Sequence, residues 1–177
     1  DNNFSYILYI GRIDVHKGLD ILIKSIHKNI EELNSFKFLF VGPDYDDTKK
    51  VLKQLINDLN ISEKIIWCPP VYSDYLKYSL FKRCSFFVMP SYSENFGITA
   101  LEALSTKTTS LISTETAWGD LEELGIALNS KPELNEFSSS LIRLINLPSN
   151  KKNEMREKGF NFVRDNYTWD SIAKFLQ

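Results

Sequence analysis

The sequence is short of what most specialised protein classes require. It has two cysteines in 177 residues, Cys68 and Cys84, and their spacing fits neither a metal-ligand pattern nor a disulfide framework. Both adjoin apolar strands, so buried thiols in a reducing cytosol are expected. Charge of one sign is also lacking: 21 basic against 23 acidic residues leave a net charge of -2, which excludes a global drive toward nucleic acid or an anionic membrane. Any basic site must therefore be local. No run reaches the ~18 apolar residues of a membrane span, and Asp1-Asn2-Asn3 does not open a signal peptide. The chain does not begin with Met, so a fragment is expected. No internal repeat, low-complexity tract or linker interrupts it. With 43% hydrophobic residues it can build one complete core, and its length fits a single domain over residues 1–177.

What the sequence does have is regular alternation. Tyr6 to Ile10 reads as a strand ending at Gly11, after which Leu19, Leu22, Ile23, Ile26 and Ile30 follow helical spacing. Phe36 to Val41 is the next strand, closed by Gly42-Pro43, and Val51, Leu52, Leu55, Ile56 and Leu59 form an amphipathic helix. A third unit pairs Lys64 to Cys68 with a helix over Tyr72 to Lys82. A fourth strand spans Phe86 to Met89, a fifth Thr109 to Ile112 and a short sixth Gly125 to Leu128. Helical patterns follow over Glu133 to Asn146, Lys151 to Asn166 and Asp170 to Leu176. This alternation predicts an α/β fold: a doubly wound, Rossmann-like parallel sheet with helices on both faces. Ligands in such sheets sit at the carboxyl ends of the strands, where the loops after Ile10, Val41, Met89 and Ile112 converge.

The most informative stretch is Pro90 to Leu104. Pro90 ends an apolar strand, and Ile98, Leu101 and Leu104 mark one face of a helix starting near Phe96 or Gly97. Glu94 then precedes the helix and Glu102 lies about a turn and a half inside it, so their carboxyls stand roughly 10 Å apart or more. That separation suits the two ends of an extended ligand better than one reacting atom. Between them Asn95, Phe96, Gly97 and Ile98 supply unpaired first-turn amides, which attract an anion, and Gly97 lets the backbone come close. The pattern points to a diphosphate on the amides with a polyol at each end. Gly11-Arg12-Ile13-Asp14-Val15-His16-Lys17-Gly18 sets two fixed cations at the same end of the sheet, a fork and a point charge for phosphate oxygens. The bland alternative is a solvated βα loop.

Other candidates carry less. Asp44-Tyr45-Asp46-Asp47 contains an Asp-x-Asp, but it opens a helix, where capping and the dipole account for its carboxylates. His16 precedes Lys17 within reach of a phosphate, although a lone loop histidine is more often merely exposed, and His27 in the first helix has no visible partner. Trp67 and Trp169 fit core positions.

Three pieces together, Gly-Arg-x4-Lys-Gly at Gly11 to Gly18, Val41-Gly42-Pro43, and Pro90-Ser91 followed by Glu94-x7-Glu102 around Phe96-Gly97, resemble the C-terminal, nucleotide-sugar-binding domain of GT-B fold glycosyltransferases of family 4, also called glycosyl transferases group 1. The resemblance runs over essentially the whole chain. It implies retaining glycosyl transfer without an essential metal or other cofactor. Arg12, Lys17 and Glu94 are then catalytic, the two cations neutralising the donor diphosphate and stabilising the leaving group and Glu94 binding donor-sugar hydroxyls. Glu102 takes the ribose hydroxyls, with Gly11 and the Asn95, Phe96, Gly97, Ile98 and Thr99 stretch completing the donor site. Tyr72 and Tyr75 fall where the family's base packs. Glu94 could instead act as a general acid or nucleophile, although its distance from Glu102 departs from the roughly 5–10 Å of a glycosidase pair.

The implied partners are a nucleotide-diphospho-sugar donor, a glycan or lipid-linked acceptor, and an N-terminal acceptor domain of the same protein that this chain lacks; nucleic acid is not among them. The implied setting is a bacterial cytoplasm, or the inner face of the membrane reached through the absent domain, in surface glycan or glycolipid synthesis. A noncatalytic scaffold and a GT-B relative such as a nucleotide-sugar epimerase or a phosphorylase are the competing readings. The chain departs from the family after the Glu102 helix. It has Ser105-Thr106-Lys107-Thr108-Thr109 in place of a Gly-x-Pro-Val turn, and Ser113 to Leu121, with Trp118, in place of a glycine-rich loop.

Overall fold

Along β1 (Ser5–Ile10), Ile7 and Tyr9 pack into one hydrophobic cluster while Leu8 and Ile10 pack into another, and all four are buried. The period of two in the strand thus feeds a core on each face of the sheet. β4 (Phe86–Met89) divides in the same way, Phe86 and Val88 to the first cluster and Phe87 and Met89 to the second. Side chains such as Phe38, Phe40, Phe87 and Phe137 are fully enclosed, each stabilising the fold by about 1.5–3 kcal/mol relative to exposure.

The computed structural model describes residues 4–167. With β2 (Phe36–Val41), β3 (Ile65–Cys68), β5 (Ser110–Ser113) and β6 (Leu128–Ser130), these strands form one six-stranded sheet in the order β3-β2-β1-β4-β5-β6, parallel at every pairing. Helices α1 (Leu19–Lys28), α2 (Thr48–Asp58) and α5 (Leu134–Ile145) cover one face. Helices α3 (Asp74–Arg83) and α4 (Ile98–Ser105) cover the other, and α6 (Ser149–Asn166) reaches both clusters through Met155 and Val163. This is the expected doubly wound sheet. Its strand order reverses between β1 and β4, so the loops after those two strands open onto the crevice where such folds take ligands.

Several local expectations needed correction. The sixth strand begins at Leu128, not Gly125, because residue 125 has a positive φ of 68° and lies in a turn. Ile98 is exposed rather than part of the α4 core face, since it is the first helical residue and the buried positions are Ala100, Leu101, Ala103 and Leu104. Val51 is likewise exposed, leaving Thr48, Leu52 and Ile56 as the buried side of α2. Helix α2 takes its capping bond from Asp44, whose Oδ1 accepts from the Lys49 amide, and not from Asp47 at the cap position. Neither thiol is fully buried. Cys84 is half-covered and burial pushes it up to about 12, while Cys68 is raised for the same reason. Trp67 is half-buried, edge-on to Phe40 and under the Lys49 ammonium. Trp169 and the expected helix over 170–176 lie outside the described residues.

Candidate functional site

The loop after β1 is built by its own polar groups. Asp14 is buried and its Oδ1 accepts from the His16 amide at 2.8 Å, starting a 3-10 turn over Val15–Lys17. Gly18 ends the turn at φ 64° and caps α1. A Cβ on Gly18 would stand 2.1 Å from the Pro90 carbonyl oxygen, so only glycine lets this loop press against the end of β4. The Tyr92 amide donates to the His16 carbonyl at 2.8 Å and stitches the two loops together. The loop after β2 joins them, because the Ile13 amide donates to the Pro43 carbonyl and the Tyr45 amide to the Ile13 carbonyl. The loop after β5 closes the group, where the Trp118 indole N–H donates to the Phe96 carbonyl. Convergence of these four loops is what the strand ends predicted.

Lys17 and Glu94 meet at this seam. Their Nζ and Oε2 are 2.5 Å apart, with side-chain exposures of only 11% and 20%. A lysine ammonium has three donors, so one partner does not exhaust it. Behind the pair, the buried Tyr9 hydroxyl donates to the Arg12 carbonyl at 2.5 Å. Burial first, then the charges of Asp14 and Glu94, hold its phenol well above the usual range, so it stays a donor.

Arg12 does not join this pair. Its guanidinium is 59% exposed, 3.6 Å from Asp14 Oδ2 and stacked over Tyr45 at 5.4 Å. Glu102 belongs to a separate ion pair, with Lys77 of α3, which the sequence reading missed. Lys77 interrupts the apolar spacing of its helix on the half-buried side, the one signal that could have marked it. The other Glu102 oxygen, Oε2, is enclosed with no hydrogen-bond partner among the described residues, as is Ser91 Oγ. A cleft of about 190 Å³ runs beside this pair between α3 and α4, lined by Asp74, Lys77, Tyr78, Phe81 and Glu102 among others.

The start of α4 lies between the two carboxylates. Gly97 caps it at φ 66°, and the first turn closes only with the Ala100 amide on the Gly97 carbonyl. No described residue accepts from the amides of Asn95, Phe96, Gly97, Ile98 or Thr99. Five donors are therefore open at a helix start, where the dipole favours an anion. Asn95, Phe96 and Ile98 are exposed, Thr99 and Gly11 half-buried, and Gly97 buried. Tyr72 and Tyr75 stand out in solvent at 85% and 76% exposure, with no ring contact between them and the site. His16 and His27 are exposed. Among the described residues no three His, Cys, Asp or Glu side chains gather as a metal's ligand set, and no helix is long and apolar enough to cross a membrane.

Comparison with known proteins bears on this geometry. The family model described as "Glycosyl transferases group 1" matches residues 1–162. An uncharacterized glycosyltransferase of Methanocaldococcus jannaschii is 30% identical over 181 aligned residues, covering 95% of this chain and 42% of its own. A GDP-mannose:cellobiosyl-diphosphopolyprenol alpha-mannosyltransferase of Xanthomonas oryzae is 28% identical, over 56% of this chain and 26% of its own. Among solved structures, the C-terminal domain of a glycosyl transferase group 1 family protein from Francisella tularensis superposes with a TM-score of 0.80 at 20% identity, covering 94% of this chain and 87% of that one. The fold is thus one half of a GT-B architecture, and the chain spans less than half the length of the Methanocaldococcus relative. The chain belongs to the glycosyl transferases group 1 family.

Proposed function

We propose that this chain is the C-terminal, nucleotide-sugar-binding domain of a retaining, metal-independent glycosyltransferase. Its N-terminal acceptor domain is a further part of the same protein. The observation that carries the reading is the open row of amides at the start of α4, set beside the Lys17–Glu94 pair at the strand-order reversal. A diphosphate resting on those amides receives the helix-start field and the remaining donors of Lys17. Arg12, exposed on the facing loop, swings from Asp14 to add its charge. As the bond from the sugar's anomeric carbon to the diphosphate oxygen breaks, these groups stabilise the negative charge that accumulates on the leaving group, the task a metal performs elsewhere. The acceptor hydroxyl, supplied through the other domain, forms the new bond on the same face and gives up its proton to the departing phosphate. Glu94 holds hydroxyls of the donor sugar and Glu102 those of the ribose.

The acceptor is proposed to be a glycan or lipid-linked saccharide of a bacterial surface, handled in the cytoplasm or at the inner face of the membrane. Support comes from the Xanthomonas relative, whose name specifies a nucleotide-sugar donor and a polyprenol-linked acceptor.

Calorimetric titration of this chain with UDP, GDP, ADP and their sugar conjugates, in chelator, tests the donor reading. One nucleotide series should bind, and Arg12→Ala and Glu102→Ala should each weaken it about tenfold or more, the loss of one charge-assisted contact. A folded chain that binds none of them, or binds only with added divalent metal, overturns it.

A further inference from the structure

We propose that Trp118 is a positioning residue for diphosphate binding: by holding the Phe96 carbonyl, its indole N–H turns the Gly97 amide into the anion site. The inference rests on the reading of the α4 start as the diphosphate's seat, and adds a residue from a different loop to it.

The geometry begins with how firmly Trp118 is held. It is 4% exposed, in the loop between β5 and β6. Its own amide donates to Thr116 Oγ1, and its carbonyl accepts from Asn129 Nδ2 at 2.9 Å. Asn129 is in turn locked to Glu122 by two reciprocal backbone-to-side-chain bonds of 2.8 and 2.7 Å. The indole ring meets Phe96 edge-on at 5.2 Å and Tyr167 at 5.4 Å, with Phe162 beyond. Such a ring is a fixed post rather than a mobile surface side chain.

From that post the indole N–H donates to the Phe96 carbonyl at 2.5 Å. The same peptide plane carries the Gly97 N–H, and in a trans peptide the two bonds point in opposite directions. Pinning the carbonyl toward Trp118 therefore aims the Gly97 amide away from it, among the open donors of Asn95 to Thr99. Gly97 is closely walled at this turn, and a side chain there would crowd its neighbours. A Cβ there would stand 3.1 Å from Glu94 Cγ, 3.3 Å from Trp118 Nε1 and 3.4 Å from Met89 Sδ. Phe96 is itself 46% exposed, so its own burial cannot hold this turn; the bond from Trp118 supplies what burial lacks.

Trp118→Phe keeps an aromatic ring, smaller than the indole, and deletes the N–H. Titrated with UDP, GDP and ADP and with uridine, guanosine and adenosine, the variant should bind the preferred diphosphate about tenfold more weakly, the loss of one oriented hydrogen bond. Its affinity for the matching nucleoside should match that of the unaltered chain, a split that a general loss of packing does not produce. Unaltered diphosphate affinity, or equal losses for diphosphate and nucleoside, overturns the proposal while leaving the donor reading intact. Absence of diphosphate binding by the unaltered chain overturns both. Should Trp118→Phe fail to fold, the unaltered chain still decides by NMR: the Gly97 amide proton should move downfield with the diphosphate and not with the nucleoside, and an unmoved Gly97 signal sinks the idea.

Discussion

Both ends of the sheet carry clustered charges, and they use them differently. At the amino end, a cleft of about 360 Å³ is lined by Lys82, Lys107 and Arg156, with Cys84, Thr106, Thr108 and Glu157. It is larger than the cleft beside Glu102, at about 190 Å³. Yet Lys107 is held by both Glu157 oxygens, Arg156 bonds Thr109, and Lys82 lies over the Tyr78 ring. Helices α3 and α4 also point their carboxyl ends there, so the helix fields favour those cations and oppose an incoming anion. At the carboxyl end the cations are fewer, but a helix start with unfilled amides faces them. Cavity size does not separate the ends, since a pocket of about 370 Å³ beside Asp14 and Tyr92 matches the amino-end cleft; cation count points to one end, open donors and dipole direction point to the other, and the latter decide where a phosphate binds.

Glycine substitutions break this contrast most sharply. Gly18→Ala adds a Cβ 2.1 Å from the Pro90 carbonyl oxygen at a residue with φ 64°, so both loops must separate. The expected cost is about 3 kcal/mol or more, left-handed strain plus lost packing, measured by urea denaturation. Gly125→Ala, before β6, has a similar φ of 68° but meets only the flexible end of Lys158 at 3.1 Å. It should cost about 1 kcal/mol. Equal costs at the two positions refute the claim that the carboxyl-end loops are stitched through Gly18.

Next in size is Lys17→Met. It leaves Glu94 without its partner in a place where that side chain keeps only 20% exposure. Removing one member of a fully buried pair costs about 3–5 kcal/mol, so about 2–3 kcal/mol is expected here, together with loss of nucleotide binding. Glu94→Gln combined with Lys17→Met should restore most of the stability and none of the binding. Failure of the double variant to recover stability would mean that Lys17 contributes through packing rather than charge.

Most of this arrangement was legible in the sequence because it depends on period and punctuation. Alternating apolar runs closed by Gly11, Gly42-Pro43 and Pro90 located the strands and the end of the sheet where the site lies. Pairings across the chain were not legible. Nothing local ties Lys17 to Glu94, 77 residues away, or Lys77 to Glu102, since ion pairs leave no periodic trace. Trp118 stood out only as a departure from the family's glycine-rich loop, and its bond to the Phe96 carbonyl follows from tertiary placement. The sixth strand slipped because Gly125 reads equally as a strand edge and as a turn.

A smaller effect separates the amino end by pH. Burial pushes the Cys84 thiol from 9.0 up to about 12. The unfolded thiol therefore ionises first. Its contribution to stability is intact below about pH 9 and is lost as pH climbs toward 12, amounting to about 1 kcal/mol by pH 10. Urea midpoints should fall between pH 8 and pH 10 by less in Cys84→Ala than in the unaltered chain. An identical fall in both would show that the thiol is not held in its neutral form.

The smallest expected effect is also the cleanest control. Lys107 touches both oxygens of Glu157 at 2.7 Å, a distance close to that of Lys17 and Glu94, but the side chains are 37% and 59% exposed. Water screens both charges and hydrates whichever remains, so Lys107→Met should change stability by about 0.5 kcal/mol or less and leave nucleotide affinity untouched. Lys107 holds a left-handed turn at φ 58°, and methionine meets the same backbone strain there, which leaves the charge as the main difference. A loss comparable to that of Lys17→Met would mean that contact distance, and not enclosure, sets the value of an ion pair in this fold.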